Sequence, residues 1–419
     1  MISINEQQFL ETLSTQSKFG RLPPEEGGGL NRPSLSIGNR EVCDYFCRQA
    51  EAASLDVAFD GAANLSAKLK SANPDARTII LGSHLDSVPN GGSLDGSLGV
   101  FAALEVLRTI TGNKIELPVH LEALSFTDEE GRWSDLFGSR ALAGKHTVST
   151  VEACLAQAAQ FPEDLAAMRK IVPGGLTPQA VLTAKRPPGS IAGFLELHIE
   201  QGPQLEHAGI PIGVVDSIFG RRSLAIQFFG RSDHAGTTPM HLRADSLVAA
   251  AEFIIQAPQI IKKQFPNCVL TCGNVIAKPG AYNVIPEETT VWVEFRASTQ
   301  AKLKHINEMV TDLVKRITAT PEISFSIKKH DYQEPVAMDN AVQAIVNETC
   351  KKLGYPCMTL SSGALHDAVL MSTVAPTGLI FVASKDGRSH CPDEDTGTQD
   401  LIAGANVLLH STLALALGE

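Results

Sequence analysis

The apolar residues of this chain fall into two rhythms that alternate. Thr78-Ile-Ile-Leu-Gly82 is a short continuous run, the pattern of a strand buried on both faces. Val100, Phe101, Leu104 and Leu107 then recur at helical spacing and predict a helix just past Asp95. Val119 to Phe126, Phe194 to Ile199 and Gly378 to Ala383 are three more strand-like runs. Strands alternating with helices predict an α/β domain.

A different unit is expected between Asp216 and His330. Ser223 to Phe229 reads as a strand and Ala244 to Ile261 as a helix. Val269 to Ile276 and Thr289 to Phe295 read as two strands, Ala301 to Ile317 as a helix, and Glu322 to Ile327 as a last strand. The order β-α-β-β-α-β is that of a ferredoxin-like α+β sandwich. The chain is therefore expected to divide into 1–215, an inserted domain at 216–330, and a return to the first domain at 331–419.

Composition narrows the choice of chemistry. The chain has 419 residues, 43% hydrophobic and 19% charged, an ordinary globular balance. No apolar run reaches the roughly 18 residues of a membrane span, so no membrane partner is expected. Lys+Arg number 35 against 46 Asp+Glu, and the formal net charge of −11 argues against nucleic acid as a partner. The first residues lack the basic-then-apolar pattern of a secretory signal. A cytoplasmic protein with its eight cysteines reduced is the expectation.

Four of the first-domain strands end in residues able to hold a metal. His84 and Asp86 follow the first, Asp128-Glu129-Glu130 the second, His198 lies near the end of the third, and His390, Asp393 and Glu394 follow the fourth. Between the first two lies the glycine-dense turn Gly91-Gly92-Ser-Leu-Asp95-Gly96. Any one of these would be an ordinary turn; the repetition is the signal. Sites in open α/β sheets form beyond the carboxyl ends of the strands, so the four loops can converge. Histidine nitrogens with carboxylate oxygens suit zinc, manganese or cobalt. Acidic groups crowded together repel one another without a cation, and two metals about 3.5–4 Å apart would relieve that repulsion.

The strings His84-x-Asp86, Gly91-Gly-x-x-Asp95-Gly-x-x-Gly99 and Asp128-Glu129-Glu130-Gly131 continue a recognisable series. So do Glu196-Leu-His198-Ile-Glu-Gln201-Gly-Pro203, Asp233-His234-Ala-Gly-Thr-Thr-Pro-Met240 and Ser389-His390-x-Pro. In this order, over nearly the whole chain, they resemble the hydantoinase/carbamoylase amidases, a branch of the binuclear M20 metallopeptidase superfamily. The resemblance implies a catalytic α/β domain with a central mixed sheet and an inserted dimerisation and lid domain, in a homodimer. It implies two divalent ions per subunit, zinc or manganese, with cobalt or nickel as the alternatives. His84 and His198 would hold one ion, Glu130 and His390 the other, with Asp95 bridging. Glu129 matches the general base, and Asp86 the carboxylate that orients His84. His234 matches a histidine that stabilises the oxyanion, Asn283 and Arg296 a clamp on the substrate's carboxylate, and Gln201 a further polar contact.

The implied activity is hydrolysis of a linear ureido or N-acyl group on a small acid. For an N-carbamoyl-L-amino acid or N-carbamoyl-β-alanine the products are the amino acid, carbon dioxide and ammonia. Allantoate and N-acyl amino acids or dipeptides are the alternatives on the same scaffold. A metal-binding protein that has lost catalysis is the non-enzyme alternative, and the presence of Glu129 argues against it. Two positions depart from the family pattern. Leu365 replaces a glycine in Ser362-Gly-Ala-Leu365-His366-Asp367-Ala368, and Arg132-Trp133 follow Gly131 where Ser/Val-Arg-Phe is usual; both leave the substrate open.

Overall fold

The computed structural model describes residues 2–168, 171–172, 174–319 and 321–418. The strands among these are β1 (Asp56–Phe59), β2 (Leu65–Leu69), β3 (Thr78–His84), β4 (His120–Phe126), β5 (Ile191–Ile199), β6 (Ile212–Ile218) and β7 (Gly220–Phe229). They continue as β8 (Val269–Lys278), β9 (Glu288–Ala297), β10 (Ser324–Gln333), β11 (Val336–Ala337), β12 (Cys357–Ser362) and β13 (Thr377–Val382). The chain divides into two compact units. One comprises Met1–Asp216, Met338–Leu360 and Leu365–Glu419; the other comprises Ser217–Ala337 with Ser361–Ala364.

The first unit is built on a mixed sheet ordered β1-β2-β4-β3-β5-β13-β6, with β12 paired to β6. Its centre, β4-β3-β5-β13, is parallel throughout, whereas β1, β2 and β6 join antiparallel. The four parallel strands are those with continuous apolar runs. Strands β3, β4 and β13 are buried along their whole length, as a sheet covered on both faces requires. Gly82 permits the close pairing of β3 with β4, since a Cβ there would stand 2.0 Å from the Leu124 carbonyl oxygen. Phe101, Leu104 and Leu107 of the helix Ser97–Gly112 share one core with Leu81, Leu195, Leu197, Ile380 and Leu408.

The helix Thr398–Leu417 corrects one expectation. It is long and apolar enough to cross a membrane, yet two-thirds of its most apolar stretch is buried inside the first unit. Burial on most sides accounts for an apolar composition that scattered Asn, His, Ser and Thr side chains hide from a search for unbroken apolar runs.

The second unit is an antiparallel sheet ordered β10-β7-β9-β8, covered by the helices Ser246–Gln264 and Gln300–Ile317. With the helices between β7 and β8 and between β9 and β10, this is the ferredoxin-like arrangement. Leu303, Ile306, Val310, Leu313 and Val314 recur at helical spacing and pack with Phe228, Phe253 and Phe295. Helix starts differ from expectation because the caps are polar. The Asp245 carboxylate accepts the Leu247 and Val248 N–H groups, and the Thr299 hydroxyl accepts that of Lys302. Strand β10 runs on through polar residues to Gln333 along the sheet edge, so the return to the first unit falls at Met338 rather than 331.

Candidate metal centre

Because β4, β3, β5 and β13 are parallel, their carboxyl ends share one edge of the sheet. His84 ends β3 and pairs with Phe126, two residues before Asp128. His198, next to last in β5, pairs with Phe381 of β13, whose following loop carries His390. The turn from β3 into the helix Ser97–Gly112 supplies Asp95.

These side chains converge around Asp95, whose two oxygens face different partners. Oδ1 lies 3.1 Å from His198 Nε2 and 3.8 Å from His84 Nε2. Oδ2 lies 3.1 Å from His390 Nε2, which is 3.7 Å from Glu130 Oε1. Two ligand groups share Asp95, His84-Asp95-His198 and Asp95-Glu130-His390, and another joins His84 with Glu129 and Glu130, each with donor atoms within 4.8 Å of one another. Glu130 Oε1 is buried and has no hydrogen-bond partner, an open acceptor of the kind a cation satisfies. Glu129 Oε2 stands 3.6 Å from His84 Nε2, beside both groups.

The imidazoles are aimed by main-chain carbonyls. His84 Nδ1 is 3.0 Å from the Asp86 carbonyl oxygen, and His198 Nδ1 is 2.9 Å from that of Ile199. A proton on each Nδ1 leaves the Nε2 lone pair pointing at Asp95, the tautomer a metal ligand needs. Asp86 thus contacts His84 through its backbone; its carboxylate lies 3.8 Å off and Oδ2 accepts the Glu130 N–H instead. Gln201 Nε2 donates to Asp95 Oδ2 at 3.2 Å and to Ser389 Oγ at 3.1 Å. Asp128, Gln201 and His390 all adopt left-handed backbone, with φ of 55°, 56° and 55°. Non-glycine residues held there store about 1 kcal/mol or more each, and such strain gathers at functional sites.

A further group, Glu196 with His198 and His366, shares His198 with the first. Glu196 Oε1 accepts the Ser83 hydroxyl and Oε2 the Ala368 N–H, so protein donors already occupy both oxygens. The His366 ring packs against that of His198 with centroids 4.6 Å apart.

Electrostatics matches the crowding. Burial, then the charges of Asp367 and Glu130, holds Glu129 well above the usual carboxylate range. Burial, then Asp95, pushes Glu130 up to about 8. Burial would raise Asp95 too, but hydrogen bonds with His198 and His390 outweigh it and hold Asp95 well below the usual range. Burial would lower His198, yet the Asp95 carboxylate prevails and raises it to about 9. The same carboxylate raises the half-exposed His390 to about 9.

The remaining expected site residues lie in the second unit. His234 is exposed, its Nδ1 accepts the Gly236 N–H at 2.9 Å, and its backbone bridges to Val284. The Ala235 N–H donates to the carbonyl of Asn283, so His234 and Asn283 sit on adjoining turns. Arg296 is elsewhere: its Nε donates to Glu294 Oε1 and its Nη1 to the Gly363 carbonyl oxygen, both at 2.8 Å. Arg296 pairs with Arg221 near the start of β7, whereas the two turns lie past the Phe229–Glu288 pair at its other end. Eight residues of strand separate these pairs, about 26 Å at roughly 3.3 Å per residue.

The sequence of residues 80–414 matches the family described as Peptidase family M20/M25/M40. The chain belongs to this family. It is 36% identical to an N-carbamoyl-L-amino acid amidohydrolase of Geobacillus stearothermophilus, over 96% of this chain and 97% of that protein. It is 33% identical to the allantoate amidohydrolase of Escherichia coli strain K12, over 97% of each. Among solved structures, an amidase of the hydantoinase/carbamoylase family from Burkholderia multivorans superposes with a TM-score of 0.87 at 32% identity, over 99% of this chain and 98% of that one. The protein is thus a hydrolase of the M20 family, whose enzymes depend on metal, and its fold supplies grouped metal-binding side chains.

In this M20 enzyme two supporting residues escaped the sequence reading. Asp128, at the head of the acidic run, turns away from the cluster. Its oxygens accept the N–H groups of Arg132 at 3.0 Å, Trp133 at 3.2 Å and Ser134 at 2.8 Å, shaping the loop that presents Glu129 and Glu130. Its place beside two other acids gave no hint of this. Arg32 is fully buried, donates to Gln16 and to the Ser97 hydroxyl at the start of the helix after Asp95, and is lowered by burial to about 10. A lone arginine in a Gly/Pro-rich stretch carries no sequence signal for burial.

The departures from the family pattern lie outside this cluster of donors. Arg132 bonds the Ser34 carbonyl oxygen, pairs with Asp164 at 2.6 Å and lies 3.8 Å over the Phe161 ring. Leu365 is half-buried and is not among the residues with left-handed backbone, so its position makes no demand for glycine.

Asp128→Ala should strand three backbone donors and lower unfolding free energy by about 3 kcal/mol, since each unmet buried group costs about 1–3 kcal/mol and water will reach some of them. Urea unfolding measures this, and a loss under about 1 kcal/mol would show the loop to be held by other contacts.

Proposed function

We propose that the protein hydrolyses N-carbamoyl-L-amino acids to the amino acid, carbon dioxide and ammonia, using two divalent metal ions per chain. The observation that carries the two-ion reading is the division of labour at Asp95, one oxygen facing His84 and His198 and the other His390 and Glu130. The donor set of imidazoles and carboxylates suits zinc or manganese. Bound there, such ions would lower the pKa of a water and polarise the scissile carbonyl. Glu129, 3.6 Å from His84 and in neither group that shares Asp95, is the base that takes the water's proton and returns it to the leaving nitrogen. Asp95 stays ionised between the histidines, and Asp86 and Asp128 hold the loop on which Glu129 and Glu130 diverge.

Substrate class rests on the relatives together with the second unit's polar residues. Arg296 offers a planar fork to a carboxylate. The exposed His234 suits the developing oxyanion, and Asn283 adds a polar contact. Allantoate is the second reading, favoured by the 33% identity to the Escherichia coli allantoate amidohydrolase. Manganese- or zinc-loaded protein should be assayed with N-carbamoyl-L-amino acids, N-carbamoyl-β-alanine, allantoate and N-acyl amino acids. Ammonia is expected, with a carbamoyl-L-amino acid as best substrate. Free amine without ammonia would overturn the ureido reading, and allantoate as best substrate would replace the first choice by the second.

We propose a homodimer formed through the same unit. Strand β8 ends its sheet with Val269, Val275 and Ile276 exposed, and the neighbouring helix exposes Leu247, Val248 and Ile255. An apolar edge strand left open invites pairing with another chain. The roughly 26 Å between Arg296 and the His234–Asn283 turns exceeds the reach of one small substrate. We assign Arg296 to one subunit's site and His234 with Asn283 to its partner's. Mixing Glu129→Gln and His234→Ala dimers under subunit exchange should then restore up to about a quarter of wild-type activity, the statistical share of intact sites. No recovery despite proven exchange would refute the shared site. The eight cysteines, all unpaired, fit a reducing cytoplasm.

A further inference from the structure

The loop after β13 contains a buried carboxylate that the proposed chemistry does not use. Glu394 is 7% exposed, and both of its oxygens are engaged by donors from the protein. Oε1 accepts the N–H of Leu94 at 2.8 Å and of Asp95 at 3.1 Å, while Oε2 accepts the Ser389 hydroxyl at 2.8 Å. With three donors already placed, Glu394 is a poor metal ligand despite its position beside the centre. It is instead a strut between two loops about 300 residues apart in sequence.

What it joins gives the strut its meaning. At one end is the backbone of Asp95, whose oxygens face both ligand groups; at the other is Ser389, the residue before His390. Ser389 Oγ also lies 3.4 Å from Asp95 Oδ2 and accepts from Gln201 Nε2, which itself bonds Asp95. The turn is shaped around the carboxylate. A Cβ on Gly92 would fall 2.0 Å from Glu394 Cδ, and Gly92 is not in left-handed backbone. Glycine is therefore needed at 92 for space, not for its backbone freedom. The neighbouring His390 is half-exposed and in strained backbone, so the loop itself does little to fix it.

We propose that Glu394 is a positioning residue that sets the distance from Asp95 to His390 and thereby builds the second metal position, the one shared with Glu130. This rests on the two-ion reading above. The first position shares Asp95 but takes His84 and His198 from strands that the strut does not touch, so the strut bears on it less. Loss of Glu394 should therefore weaken one ion selectively.

Manganese titration of the full-length protein, followed by calorimetry and by electron paramagnetic resonance, tests this. Wild type should bind two ions per chain and show a spin-coupled manganese pair. Glu394→Ala should keep the first ion, bind the second at least tenfold more weakly, and lose the coupled signal. Its kcat should fall with KM nearly unchanged. Gly92→Ala should reproduce the pattern, because its methyl group displaces the same carboxylate, and it keeps the test open if Glu394→Ala fails to fold. Glu394→Gln should restore the second ion: its amide oxygen keeps both N–H groups, its NH2 donates to Ser389 Oγ, and the serine proton turns to Asp95. Two ions held by Glu394→Ala and Gly92→Ala with wild-type affinity and spectrum would overturn the proposal alone. Fewer than two ions in wild type would overturn the two-ion reading and the proposal with it.

Discussion

Replacing Glu129 with Gln should leave the metal content unchanged and reduce kcat by about 100-fold to 10,000-fold, the usual contribution of a positioned general base. Glu129 is 9% exposed and lies beside His84 without belonging to the two groups that share Asp95. Glutamine has nearly the same shape and keeps a hydrogen-bonding end, so the pocket is preserved while the proton acceptor is lost. Burial and the neighbouring carboxylates raise Glu129 well above an ordinary glutamate. Cations bound beside it would draw it back down, toward a range in which it can take and return a proton. Metal analysis alongside steady-state kinetics separates the outcomes. Full turnover in Glu129→Gln would remove Glu129 from the base role. Lost turnover with lost metal would make it a ligand instead.

Removal of metal should abolish turnover and make the protein's stability fall as pH rises. The sign follows from three groups of the centre. Glu130 is raised to about 8 in the folded chain against about 4.3 when unfolded. Between those values the folded state holds the proton and the unfolded state does not, so stability present below about pH 4.3 is lost as pH climbs through 8. His198 and His390, raised to about 9 against about 6.5 unfolded, act in the same direction. Their contribution is complete below pH 6.5 and is lost as pH passes 9, and that of the half-exposed His390 is reduced by solvent screening.

Divalent ions bound at these groups would replace those protons, so loaded protein should be nearly indifferent to pH over this window. The difference in melting temperature between loaded and chelated protein should widen by about 5 °C or more from pH 6 to pH 8.5, given roughly 2–4 °C per kcal/mol for a unit of this size. Loading at pH 7 should also release protons, which calorimetry in buffers of different ionisation enthalpy detects. A difference in melting temperature that is constant with pH, with no proton release, would show that the ions bind away from these groups.

Much of this was legible in the chain because burial and periodicity leave direct marks. Strands β3, β4, β5 and β13 are covered on both faces, and only continuous apolar runs tolerate that, so their positions could be read without neighbours. The second unit's helices and strands declared themselves by spacing, and the histidines and acids at strand ends by repeated placement. Strands with weaker alternation, such as β1 with its exposed and half-buried residues, gave no comparable mark. Helix starts were misplaced where Asp245 and Thr299, polar and non-helical themselves, decide where the helix begins.

The tertiary structure decided which atoms meet. Sequence placed Asp86 beside His84, but only the folded turn shows the backbone carbonyl making the contact and the carboxylate serving Glu130. Asp128 stood in a row of three acids, and the fold gave one of them to the loop and presented the other two. Only the antiparallel register shows that Asn283 and Arg296 of one chain stand at opposite ends of a strand. Glu394 and Gly92 explain each other only once two distant loops touch. Local propensity and burial act through near neighbours and so are written along the chain. Hydrogen bonds between loops depend on chain closure over hundreds of residues, and no local pattern records them.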